Sequence, residues 1–271
     1  MRRCRRWFAA LGLLAVLVVL LGGRPAPVLA ESATPPLPQL FDQALQASRS
    51  GRFSEALPLW NQVLDLAPMD AAAWSNRGNV QLALGDPLAA IADQDRAIQL
   101  DPTSVDPHLN RGTAEELLAR WEAAEADYRW ILDQIDGESD DKASALYNLG
   151  NVQGSRDDWA AARSSFAAAS LLRPGFAMAR SSEALATFQL GQLDRAEQQL
   201  RSLIRRYPLF ADARAGLTAL LWQRGGRGEA ESHWVSASGL DPRYRDPEWV
   251  RDVRRWPPAP VDALQQFLAL S

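Results

Sequence analysis

The sequence predicts an all-α solenoid of paired helices, and three observations carry that prediction. Prolines recur every 34 residues, at Pro68 and Pro102 and again at Pro174, Pro208 and Pro242. Asp136 stands where the missing proline of the series would fall. Twelve residues before each of these six markers stands an alanine: Ala56, Ala90, Ala124, Ala162, Ala196 and Ala230. Glycines at Gly51, Gly85, Gly191 and Gly225 fall between the two halves of a unit, where a chain turning from one helix into the next needs them. A fixed period of this length belongs to a repeat array, in which each unit buries its apolar face against its neighbours.

The first thirty residues read as an export signal. Arg2, Arg3, Arg5 and Arg6 precede an apolar run from Trp7 to Leu21, and Val28 and Ala30 are small residues suited to cleavage before Glu31. The run is shorter than the roughly 20 residues that span a bilayer, so a cleaved signal is expected, with an uncleaved anchor as the alternative. Arg5-Arg6-Trp7-Phe8 fits a twin-arginine signal as well as the ordinary secretory route. Residues 31–36 form a Pro-rich linker. Six units are expected at 37–70, 71–104, 105–138, 143–176, 177–210 and 211–242.

Within the units, glycine stands 24 residues before the marker at Gly78, Gly112 and Gly150, and Ala44, Ala184 and Thr218 take its place elsewhere. Small residues there let two antiparallel helices approach closely. Trp60, Tyr128, Phe166, Leu200 and Trp234, each eight before its marker, are the expected core. Asp86-Pro87 and Asp106-Pro107 each read as a capping acid followed by a first-turn proline. Pro58 falls inside a helix and predicts a kink. Four residues are inserted between the third and fourth units, within an acidic turn at 136–141. Arg224-Gly225-Gly226-Arg227-Gly228 reads as a loose turn. The extension 243–271 contains Trp256-Pro257-Pro258-Ala259-Pro260 and then one apolar face, Val261, Leu264, Phe267 and Leu268. That face is expected to cap the end of the array, or else to hook a partner.

With Trp74-Ser75-Asn76-Arg77-Gly78 through Ala90, Ala97 and Pro102 as its fullest match, the pattern resembles the tetratricopeptide repeat. The resemblance implies a right-handed α-solenoid whose first helices line a concave face that binds protein segments. Two stripes of those helices then point into the groove, and they place Asn76, Asn79, Asn110, Asn148 and Asn151 along it, with Tyr147 beside Asn148 as an apolar contact. An amide side chain both donates and accepts, which matches a peptide backbone. The stripes carry no lysine, so capture of an acidic C-terminal tail, known in some relatives, is not expected. Arg254-Arg255-Trp256-Pro257-Pro258 together with the export signal is similar to a subgroup found in cyanobacteria and the plastid thylakoid lumen. This resemblance implies a lumenal or periplasmic location and a peripheral association with membrane complexes.

Composition excludes several functions. Beyond residue 30 there are 24 basic and 33 acidic side chains, because five of the 29 arginines and lysines lie in the first thirty residues; such a surface repels a phosphate backbone. Cys4, the one cysteine, lies in the signal, leaving no disulfide and no thiolate metal site. His108 and His233 stand in different units and form no ligand cluster. No catalytic serine elbow, phosphate loop or dinucleotide motif occurs. Most tryptophans fall at core positions, Trp130 and Trp249 being candidates for an exposed patch. The expectation is a non-catalytic scaffold, without cofactor or small-molecule substrate, that binds an extended client segment. The alternative is a self-associating structural protein that uses its outer faces and C-terminal helix.

Overall fold

The computed structural model describes residues 35–270. The expected export signal and most of the linker lie outside the described residues. Twelve helices follow in six antiparallel pairs: α1 Leu37–Arg49 with α2 Phe53–Leu66, α3 Ala71–Ala83 with α4 Pro87–Leu100, α5 Val105–Leu117 with α6 Trp121–Gln134, α7 Asp140–Ser155 with α8 Trp159–Leu172, α9 Ala177–Gln189 with α10 Leu193–Arg206, and α11 Ala211–Gln223 with α12 Arg227–Leu240. A 3₁₀ turn, Pro242–Arg245, and two shorter helices, α13 Pro247–Asp252 and α14 Pro258–Leu268, complete the chain. No strand occurs among the described residues. Each of the twelve helices packs on its neighbours in sequence, and α1, α3, α5 and α7 in succession, and α9 with α11, also touch along one side. This is the predicted α-solenoid.

The glycine positions are explained by what they face. A Cβ on Gly112 would meet the Tyr128 ring at 2.6 Å, one on Gly150 the Phe166 ring at 2.6 Å, and one on Gly78 the Gln94 amide at 2.7 Å. Each pair joins a glycine of the first helix to the large residue eight before the marker on the second. Trp60, Tyr128 and Leu200 are fully buried, and Phe166 and Trp234 nearly so. Gln94 is the polar member of this row. It is buried and donates to Ser75 O (3.0 Å) and Asn79 Oδ1 (3.2 Å).

The turns are uniform. Gly51, Gly85, Gly191 and Gly225 take positive φ, and at the same register Ala119 (φ 54°) and Asp157 (φ 62°) adopt the left-handed conformation without being glycine. The bend fixes the backbone whatever residue stands there. For the same reason the stretch 224–228 is not loose, since α12 starts at Arg227 after the same three-residue bend as the other units. Asp86 caps α4 as expected, accepting from Ala89 N at 3.0 Å. Asp106 does not cap α5: the N-cap is Ser104, and Asp106 and Pro107 lie in the first turn, where a missing N–H leaves no helical bond unmade. Likewise Asp140 and Asp141 belong to the first turn of α7, capped by Ser139, so the insert partly lengthens a helix. Pro58 sits inside α2 without ending it.

Ion pairs tie units together at a repeating register. Arg77 of α3 holds Asp93 of α4 at 2.7 Å and reaches back to Asn61 of α2 at 3.0 Å. Arg111 of α5 holds Asp127 of α6 at 2.7 Å and reaches back to Asp95 of α4 at 2.6 Å. Asp127 also bonds His108 Nδ1 at 2.7 Å, and that ring stacks on Trp130 at 3.7 Å. Trp130 and Trp249 are thus both partly buried, Trp249 lying edge-on to Tyr244 under Arg243.

Candidate functional site

The first helices α1, α3, α5, α7, α9 and α11 form the inner side of the array, and the structure divides that side in two. In the N-terminal half, Asn76 and Asn79 of α3 and Asn110 of α5 line one hollow of about 320 Å³, together with Ser75, Asp101 and Asp106. Their amides are held in place from within. Asn76 Nδ2 donates to Ala72 O (2.8 Å), Asn79 Oδ1 accepts from Gln94, and Asn110 Nδ2 donates to Ser75 Oγ (3.4 Å). Each keeps part of its hydrogen-bonding capacity, since an amide offers two donors and an acceptor. Orienting groups in advance lowers the entropic cost of binding.

The C-terminal half is filled by the chain itself. Helix α14 lies across α9 and α11. Val261, Leu264 and Phe267 enter one buried cluster with Leu185, Phe188 and Ala219 of those helices. Phe267 meets the rings of Trp222 and Trp234 at 5.5 and 5.6 Å. The capping helix therefore covers the inner side of the last two units, and its apolar face is used up there. Leu185 and Ala219, which continue the groove stripe that carries the asparagines, lie beneath this helix's cluster. Nine of the thirteen residues of α11 are buried.

The segment before α14 crosses the groove on a polar clip. Asp212, at the start of α11 and 1 % exposed, accepts from Tyr244 Oη (2.6 Å), Arg254 (2.8 Å) and Trp256 Nε1 (3.0 Å). Burial alone would raise its pKa, but Arg254 and the Tyr244 hydroxyl outweigh burial and hold the carboxyl below its ordinary range. Arg255 reaches further and pairs with Glu116 near the end of α5, which also accepts from Tyr128 Oη. Here burial wins over both partners, and the Glu116 carboxyl titrates above its ordinary range.

The sequence-predicted site residues thus separate. Asn76, Asn79 and Asn110 come together. Asn151 instead lines a second hollow of about 440 Å³, between α5, α7 and the crossing segment, opposite Arg255 and Trp256. Asn148 is half-buried on α7, and Tyr147 packs between Phe166 (5.5 Å) and Phe176 (4.9 Å). Sequence reasoning missed Ser75, Gln94, Glu116 and Asp212. Only Gln94 left a trace, as a polar residue in a row of large apolar ones. Among the described residues no group of three or more histidines, cysteines or acids could hold a metal, and no helix is long and apolar enough to cross a membrane.

Comparison with known proteins agrees with the geometry. The tetratricopeptide-repeat profile matches residues 41–105, 141–208 and 181–242. TPR repeat-containing thioredoxin TDX of Arabidopsis thaliana is 35% identical over 85 residues, covering 31% of this chain and 22% of the relative. Hsc70-interacting protein 1 of Drosophila melanogaster is 34% identical over 91 residues, covering 34% and 24%. The chain therefore spans about a quarter or less of the length of these relatives. Among solved structures, the Cut9-Hcn1 hetero-tetramer of the APC/C superposes with a TM-score of 0.67 at 17% identity, over 86% of this chain and 43% of that one. PilF of Pseudomonas aeruginosa gives 0.65 at 18%, over 76% and 92%. YrrB, described as a TPR protein with an unusual peptide-binding site, gives 0.52 at 19%, over 68% and 92%. These structures share the fold. With the repeat profile matching more than half of its residues, the chain belongs to the tetratricopeptide repeat family.

Proposed function

We propose that the protein is a non-catalytic scaffold that holds an extended segment of a protein client along the N-terminal half of its concave face. The observation that carries this reading is the shared hollow of Asn76, Asn79, Asn110 and Ser75 on two successive first helices. First helices of neighbouring units lie roughly 10 Å apart, which is about three residues of extended chain at ~3.3 Å each. Amides repeated at that interval meet the client backbone at every third residue and leave its side chains largely unread. Asp101 and Asp106 line the same hollow, so the client segment is neutral or basic rather than acidic. The naming of Hsc70-interacting protein 1 and of the YrrB peptide site supports protein binding as the role. The basic-then-apolar N-terminus supports export to a lumenal or periplasmic space, where the client would belong to a membrane-associated complex.

The test is capture of client by the processed protein from isolated membranes, comparing the native chain with Asn76→Ala/Asn110→Ala. Loss of the client with unchanged helicity is expected. Equal capture by the two proteins would remove the groove from the account.

A further inference from the structure

We propose that the C-terminal half of the concave face is a second docking surface, shaped for an amphipathic helix, which residues 254–268 occupy in cis and a partner helix of the same pattern occupies in trans. This inference does not rest on the asparagine hollow. It rests on how the chain's own segment is seated. Helix α14 presents Val261, Leu264 and Phe267 inward at intervals of three, while Asp262, Gln265 and Gln266 face an open hollow on the other side. The floor it lies on, Leu185, Phe188, Ala219 and Trp222, continues the same inner side that is open and polar in the earlier units. An amphipathic helix laid on a hydrophobic groove is a recurrent mode of protein recognition, read through anchors spaced three or four apart.

The seating also carries features of a ligand rather than of a seventh unit. Helix α14 follows only the six-residue α13 and lies across α9 and α11, where a next unit would stack on α12. It enters through a charged clip, Arg254 and Trp256 on Asp212 and Arg255 on Glu116, and such hydrogen-bonded charge pairs confer orientation and specificity. Arg255 is held at φ 54°, a conformation that an L-residue other than glycine adopts at a cost, so release relieves the backbone there. Ala259 N donates to Gln189 Oε1 at 2.7 Å, which gives the first turn of α14 a partner on α9. The partner chemistry follows: a helix with apolar residues at i, i+3 and i+6, preceded by an arginine and an aromatic residue that can reach Asp212. A tethered occupant acts at a high effective concentration, so a free helix of this pattern competes poorly until the tether lets go.

The probe is a fluorescein-labelled peptide of residues 252–270, followed by anisotropy against two full-length proteins. One is the unaltered chain. The other is Arg254→Ala/Leu264→Asp, which unseats the segment and leaves every groove residue in place. Saturable one-to-one binding to the unseated variant, at least tenfold tighter than to the unaltered chain, is expected. A peptide carrying Leu264→Asp and Phe267→Asp should not bind. Equal or absent binding to the two proteins, with helicity retained, overturns the proposal. Loss of helicity in the variant also overturns it, because the segment is then an inseparable part of the core. Adding Asn76→Ala/Asn110→Ala to the unseated variant distinguishes the two sites, since client capture through the asparagine hollow is then lost while peptide binding to α9 and α11 is unchanged.

Discussion

Replacing Gly112 by alanine sets two effects of known sign against each other. Gly112 lies in the interior of α5, and an alanine in a helix interior is favoured over glycine by up to about 1 kcal/mol. Against this, the new Cβ would lie 2.6 Å from the Tyr128 ring. That ring is fully buried and its hydroxyl is bonded to Glu116, so it has nowhere to swing. Overpacking of this kind costs roughly 1–3 kcal/mol, and a net loss of about 1 kcal/mol is expected once the propensity gain is subtracted. Gly239 in α12 supplies the control, because a Cβ there meets nothing within 4 Å and only the propensity term remains. Gly239→Ala should stabilise by a few tenths to about 1 kcal/mol. Urea unfolding followed by far-ultraviolet circular dichroism reads both. The pair should move in opposite directions, by about 1–2 kcal/mol between them. If Gly112→Ala stabilises as Gly239→Ala does, close approach of the paired helices is not what the glycines provide. Gly150→Ala should behave like Gly112→Ala, since Phe166 stands at the same distance.

Further outcomes follow from the turns and the clip. Ala119→Gly and Asp157→Gly should each raise stability, because left-handed backbone costs a non-glycine residue about 1 kcal/mol or more; unchanged or lower midpoints for both would contradict the strain. Asp212→Asn leaves Arg254 buried without its charge partner and should cost about 3 kcal/mol at neutral pH, read by the same denaturation. Because Asp212 has a lowered folded pKa, the unfolded chain binds more protons in strong acid, so this contribution is complete above its unfolded pKa of about 3.9 and fades as pH falls through the folded value. Native and variant stabilities should converge there. Glu116 carries the opposite sign: its raised pKa means the folded chain holds the proton longer, so native stability declines as pH rises above about 4.3 towards the folded value. Glu116→Gln should flatten that decline.

The repeat was legible because each unit solves the same packing problem with the same residue sizes. Ala56 through Ala230, and the glycines opposite Tyr128 and Phe166, are local necessities that recur in register. The bends at Ala119 and Asp157 were not legible, because there the backbone imposes a conformation that the residue type does not advertise. Asp106-Pro107 misled by looking like a cap, when the unit's register starts α5 at Val105. The asparagine stripe followed from the family resemblance together with helical spacing, and its division into two places did not. That division depends on Arg254 finding Asp212 and Arg255 finding Glu116, across 42 and 139 residues of sequence. A contact made once and far along the chain leaves no period to detect. The face at 261–268 was visible as apolar, while its seat across α9 and α11 was fixed by those distant acids.

The most direct measurement of the central claim is photocrosslinking from defined positions. A benzoylphenylalanine placed at Asn79, on the exposed inner side of α3, is compared with one at Gln99, exposed on α4. The account predicts that the Asn79 probe joins one contiguous segment of the client, identified by mass spectrometry, and that the Gln99 probe does not. Crosslinks from Gln99 alone, or the same client peptides from both positions, would contradict binding in the groove.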